Sequence, residues 1–208
     1  MTTGVERIET TKLVAGELCL DFANTASRRT VNSDELLCSY EDLVFWFHYA
    51  GMLSEKETER LQHVAARQST KSAQEFQRAL VLREAVYKTY SALASERPPS
   101  KAALKTINAA ATEMLGHLQI SPSKDRFEWT WYNVKDALEF PLWTVARSAT
   151  RLLVSEESRR RVRECQGRGC HWLFVDQTCN RNRRWCDMAT CGNREKVRQF
   201  RARKNRGA

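Results

Sequence analysis

The 208-residue chain carries 42% hydrophobic and 28% charged residues with six tryptophans, enough for a real core in either one domain or a medium domain with a small appendage. No run approaches the roughly 20 apolar residues of a membrane span, and Met1–Glu9 lacks the basic start and apolar stretch of a signal peptide, so a cytoplasmic location is expected. The formal charge of +9 is unevenly placed: residues 151–208 hold 16 of the 34 Lys and Arg but 6 of the 25 acids, which leaves a near-neutral body and a basic end of the kind that binds polyanions.

In chain order, Lys12–Thr25 begins extended, with Leu18, Leu20 and Phe22 alternating against Cys19, Asp21 and Ala23; a helix entered near Asp21 is the alternative. From Ser39 helices dominate. Ser39 with Asp42 reads as an N-cap and Gly51 as the far end of that helix. Ser54–Glu57 is a capping box opening a helix to about Gln68, and Ser72–Glu75 a second one opening a long helix to about Ser95, with Phe76, Leu80, Tyr87, Tyr90 and Ala94 on one face. Pro98-Pro99-Ser100 breaks the chain and caps a helix that ends near Gly116. The period then changes to two: Phe127, Trp129 and Trp131 alternate with polar residues, and His117–Ile120 is the expected partner strand across a turn at Ser121–Lys124. A last body helix spans about Asp136–Val154 with Pro141 early in it, and Glu156–Arg163 links the body to a cysteine cluster. Trp46, Trp129, Trp131 and Trp143 are expected in the core.

Five of the seven cysteines, Cys165, Cys170, Cys179, Cys186 and Cys191, crowd into 27 residues. In a reducing compartment such a cluster points to a metal site. The spacing Cys165-x4-Cys170, fifteen residues, Cys186-x4-Cys191 gives two knuckles, each able to present a pair of thiolates to one tetrahedral zinc. Gly167 and Gly169 free the first knuckle from side-chain penalties. Cys179, off the symmetric spacing, and His171, beside a ligand, are left out of the set. With the four sulfurs filling the shell, the zinc is expected to be structural. His171–Asp176 is strand-like and Asn180–Asn182 turn-like, so a short hairpin is expected between the knuckles, with Trp172, Phe174 and Trp185 as a small core. Beyond Cys191 follows a basic helix with Val197 and Phe200 as apolar anchors.

That helix offers Arg194, Lys196, Arg198, Arg201, Arg203 and Lys204, and the loop before it adds Arg181, Arg183 and Arg184. Such groups contact phosphates, with affinity that falls with salt. Asn193 and Arg194, at the helix start, are also candidates for reading base edges. Nucleic acid is the expected partner, and a helix that fits a major groove favours duplex DNA over RNA.

The segments Cys165…Cys170-His171-Trp172-Leu173-Phe174-Val175-Asp176, Arg183-Arg184-Trp185-Cys186-Asp187-Met188 and Cys191-Gly192-Asn193-Arg194 resemble the CGNR zinc finger, and Leu18–Thr25 with the helices after it resembles the ABATE domain that usually precedes this finger. The resemblance implies a bacterial, stress-induced transcription regulator with a zinc-dependent DNA-binding end. Cys179 departs from the family, which more often has a small polar residue there.

The expected fold is therefore α+β but mainly α. A helical N-terminal regulatory domain (1–158) carries a small β-hairpin, and a treble-clef-like or zinc-ribbon-like four-cysteine module (159–208) ends in the basic helix. Asp21, Asn24 and Thr25 are candidates either for a polar spot in an effector pocket or for a turn-and-cap network. The body is expected to sense a small molecule or to form a homodimer. No nucleophile–base pair, phosphate-cradling loop or paired carboxylates are evident, so no enzyme is expected. Two rivals to a DNA-binding regulator stay open: an RNA-binding zinc-ribbon protein, and a protein–protein adaptor whose zinc only holds the fold.

Overall fold

A computed structural model describes residues 4–27 and 34–204; the outermost parts of the two expected domains, residues 1–3 and 205–208, lie outside the described residues. Local chemistry accounts for most helix starts. After α1 (Gly4–Glu9) and α2 (Leu18–Ala23), Ser39 caps α3 (Tyr40–Tyr49) by accepting from the Asp42 backbone, and Gly51 turns the chain out at φ +74°. Ser54 and Glu57 form the reciprocal capping box of α4 (Glu55–Arg67). Ser100 caps α6 (Lys101–Leu115), Pro141 sits in the first turn of α7 (Phe140–Val154), and Ser155 caps the short α8 (Glu156–Arg159).

Two elements differ from the sequence reading. Leu18–Ala23 is helical, so the helical alternative holds but starts three residues before Asp21; Cys19, Leu20, Phe22 and Ala23 are all buried, a helical set that a period-two alternation mimics. The long helix α5 (Ser69–Ala94) starts three residues before the expected cap. The Ser72 hydroxyl instead donates back to Ser69 O and Ala65 O, and Glu75 pairs with Arg78, so a cap-like tetrad sits inside the helix.

The strands pair in three two-stranded antiparallel sheets: β1 (Ala26–Ser27) with β2 (Asp34–Glu35), β3 (Leu118–Ser123) with β4 (Arg126–Trp131), and β5 (Val162–Glu164) with β6 (Leu173–Val175). The β3–β4 register sets Ile120 opposite Trp129 and Pro122 opposite Phe127, which moves the turn to Lys124-Asp125. Trp129 is not core: it is 54% exposed on this hairpin, and Phe127 is 76% exposed. The third hairpin also differs from expectation. β6 pairs with β5 upstream of the first knuckle, so the hairpin encloses Cys165 and Cys170 and does not lie between the two cysteine pairs.

The core lies where α2 is wrapped by α3, α5 and α7. Phe22, Trp46 and Phe47 meet there, with ring centroids 5.2–6.3 Å apart. Tyr40 and Tyr90 bury their rings while their hydroxyls donate to Leu138 O and Ala149 O. The cysteine module shares this core through Val162, Leu173 and Phe174, with β5 against α5 and β6 against α2. Its seating is specific. The Asn24 amide donates to Leu173 O and accepts from Leu173 N, both at 2.9 Å. Val175 N donates to Ala15 O, Ser91 Oγ donates to Glu164 Oε2, and Lys12 pairs with Asp187. Asn24 thus acts as a side-chain strand for β6.

Replacing Asn24 by Ala leaves a buried N–H and C=O of Leu173 without partners, at about 1–3 kcal/mol each. Chemical denaturation of Asn24→Ala is expected to show a loss of about 2–4 kcal/mol.

Candidate metal centre

The first knuckle leaves β5 at Cys165 and returns at Cys170 to enter β6. Its two glycines serve different ends. Gly169 adopts φ +70°. A Cβ on Gly167 would stand 3.2 Å from Cys191 Sγ and 3.4 Å from Cys165 Sγ, pressing on two of the sulfurs. The second knuckle begins at Cys186 and continues into a single π-type turn, Met188–Gly192, that delivers Cys191 and leads directly into α9 (Asn193–Lys204). Asp187 caps this turn by accepting from Ala189 N at 2.9 Å. The intervening loop is organised by buried Asp176, which accepts from Thr178 N and Oγ1 and from Arg183 N.

The Sγ atoms of Cys165, Cys170, Cys186 and Cys191 all lie within 4.8 Å of one another. A tetrahedron of sulfurs around zinc, at about 2.3 Å per bond, has edges of about 3.8 Å. The Cys170–Cys186 and Cys186–Cys191 separations are 3.6 and 3.7 Å. The donor set therefore fits one four-coordinate zinc with no open position, a structural site. The surroundings suit thiolates: Cys165 Sγ accepts from the backbone N–H of Gly167 and Cys186, and the Arg194 guanidinium lies 3.0 Å from Cys191 Sγ. Crowding drives the acidities of Cys165, Cys170 and Cys186 apart. Hydrogen bonds from Cys170 and Cys186 pull Cys165 down, whereas contact with the Cys165 sulfur pushes Cys170 and Cys186 up. Cys179 is exposed in the loop, and His171, at φ +58°, turns its Nδ1 to Glu164 Oε1 at 2.8 Å.

Residues 16–156 match the family described as "Putative stress-induced transcription regulator", ABATE, and residues 161–204 match the CGNR zinc finger. The chain belongs to the ABATE family. No curated protein matches it.

The four residues that give the CGNR finger its name each have a physical task here. Cys191 supplies a sulfur, Gly192 is buried behind it, the Asn193 amide donates to Ala189 O to close the π turn, and Arg194 offsets the Cys191 charge. The other basic candidates divide. Arg183 belongs to the fold: it donates to Trp185 O, Val14 O and Cys186 O and lies over the Phe174 ring. Arg184 binds Gln166 and stacks on Trp185, and Arg198 pairs with Glu195. Arg181, Lys196, Arg201, Arg203 and Lys204 are exposed. Glu195 was missed by the sequence reading. It is 7% exposed, accepts from Arg168 N and from Arg198, and turns the inner face of α9 onto the first knuckle. Val197 and Phe200 consequently face solvent, at 49% and 70% exposure, and are not anchors.

In the ABATE domain, Asn24 and Thr25 are buried in the fold: Asn24 holds β6, and Thr25 Oγ1 donates to Phe22 O and accepts from Arg83. Asp21 is placed differently. It lines a cleft of about 610 Å³ with Glu17, Trp131, Phe140, Arg147 and Arg151. Burial pushes its carboxyl up to about 6, against the lowering effect of backbone N–H groups from Ala15 and Val14. No helix among the described residues is long and apolar enough to cross a membrane.

Zinc binding needs four deprotonated sulfurs, and each proton returned to a sulfur competes with the ion. Zinc release, followed with a chromogenic chelator, is expected to rise steeply as pH falls; Cys186→Ser should abolish stoichiometric zinc and Cys179→Ser should leave it intact. The folded-state pKa of Asp21 is raised, so its contribution favours the fold at low pH and is lost as pH rises through about 6. Asp21→Asn is therefore expected to stabilise the protein by about 1–3 kcal/mol at pH 8, a gain that disappears below about pH 4 in denaturation curves.

Proposed function

We propose that this protein is a zinc-dependent, DNA-binding transcription regulator of the cytoplasm that acts by binding and not by catalysis, with an ABATE domain that senses a small molecule. One observation carries the reading. The zinc-binding turn ends in a helix whose Lys196, Arg201, Arg203 and Lys204 point outward with no partner among the described residues. Unpaired cations on a helix suit phosphate contacts, whereas cations serving the fold are paired, as Arg183 and Arg198 are. Arg181 and Arg184 are exposed in the same module and add to its positive charge, and Asn193 and Arg194 stand at the helix start.

Sensing is supported by shared residues. Leu13, Gly16, Glu17, Leu18 and Asp21 line the cleft, and the same segment holds the zinc module through Lys12, Ala15 and Asn24. A ligand that moves α2 would move the finger. A second reading of the body, homodimerisation, is favoured by the exposed Ile120, Phe127 and Trp129 of the β3–β4 hairpin. Concentration-dependent sedimentation separates the two.

The test is binding of a labelled DNA duplex and a matched structured RNA across a salt series. The proposal expects DNA to bind more tightly, with a steep negative dependence of log affinity on log salt. Arg201→Ala with Lys204→Ala should weaken all duplexes alike and reduce that slope by about one per residue. Preference for the RNA would favour the RNA-binding rival, and affinity near zero with no salt dependence would favour the adaptor.

A further inference from the structure

We propose that α9 reads the methyl groups of thymine in the DNA major groove through Val197 and Phe200, an inference that rests on the DNA-binding reading above.

At helical spacing Asn193, Val197, Phe200 and Lys204 form one stripe along α9. The opposite side is fixed by Glu195, which is buried against the first knuckle through Arg168 N and is held below the usual carboxylate range, first by its hydrogen bond from Arg198. An amphipathic helix ordinarily turns its apolar residues inward and its acids outward. Here the acid is inside, and the two large apolar side chains are outside. On the wheel, Lys196 and Arg203 flank the apolar stripe on one side, and Arg194 and Arg201 flank it on the other. A groove of about 810 Å³ runs from the π turn along the Arg194 and Arg201 flank of this stripe and is lined by Thr190, Asn193, Val197 and Arg201, with Phe200 outside it.

The occupant must therefore present two anionic walls with apolar groups between them. The major groove of B-DNA, about 12 Å wide, admits a helix between its phosphate walls, and the C5-methyl of thymine is the apolar group that its base edges display. The major groove of A-form RNA is too deep and narrow for this helix. A lipid surface fits poorly, because two apolar residues on a twelve-residue helix offer little area to bury. At the helix start the Asn193 amide nitrogen is tied to Ala189 O and the Arg194 guanidinium to Cys191 Sγ, so Val197 and Phe200 are the side chains of this face without a tie to the fold.

The methyl group can be made the only variable. The zinc-loaded full chain is titrated at one salt concentration with an alternating dA·dT duplex, with the same duplex carrying deoxyuridine for thymidine, and with alternating dG·dC duplexes with and without 5-methylcytosine. Removing the methyl is expected to weaken binding by about fourfold for each methyl contacted, and adding it to cytosine to strengthen binding by a similar factor. Val197→Ala with Phe200→Ala, both at exposed positions, should erase both differences while zinc content and salt slope stay as in the parent chain. Equal affinity for thymine and uracil duplexes, with an ordinary salt slope, would overturn the methyl reading and leave DNA binding standing. Discrimination that survives in the double variant would overturn the assignment to these two residues. No affinity for any duplex at low salt would overturn both readings together.

Discussion

Four sulfurs brought within 4.8 Å of one another constrain everything downstream of Glu164. Thiols at that separation crowd each other, and a shared cation turns the crowding into four bonds. The module around them has short strands, a π turn and a loop pinned by one aspartate, with too little regular structure to hold itself. The metal fixes the direction in which α9 leaves the protein, because Cys191 lies in the turn that becomes the helix. The Arg194 guanidinium against that same sulfur and the burial of Glu195 against the first knuckle then set its rotation. Which side chains of α9 face solvent is decided beside the metal-binding sulfurs.

The module is not an independent bead on a string. β6 is paired on one edge with β5, and the Asn24 side chain satisfies its Leu173 backbone groups from the body. The 610 Å³ cleft is lined by the same segment, with Asp21 carrying a destabilised charge into it. A buried carboxylate poised near neutrality is an unfavourable thing to keep for stability alone, and perturbed acids of this kind concentrate at binding sites. The short helix α2 thus borders both the cleft and the finger.

Much of this was legible in the residues, and the failures have physical causes. Cap chemistry is local, so Ser39, Ser54 and Ser100 announced their helices correctly. The ligand spacing is local too, and four cysteines in two x4 knuckles needed no tertiary information. The misreadings arose where burial is decided from afar. α2 is packed on several sides and keeps only Asp21 as a polar position, so its residues alternate as a strand's would. Ser72 has cap-like neighbours, yet a single residue, Gln68, separates α4 from α5 and the turn falls there. Val197 and Phe200 look like anchors until Glu195 is seen to occupy the inner face, a burial made possible by Arg198 and by the backbone of a residue 27 positions upstream. Asn24 was visible as a polar residue in an apolar run, but its partner lies 149 residues away.

X-ray absorption at the zinc edge of the purified chain tests the account most directly. Four sulfur neighbours at about 2.3 Å and one zinc per chain are expected. A shell containing nitrogen or oxygen, or a chain that holds no stoichiometric zinc, would contradict it.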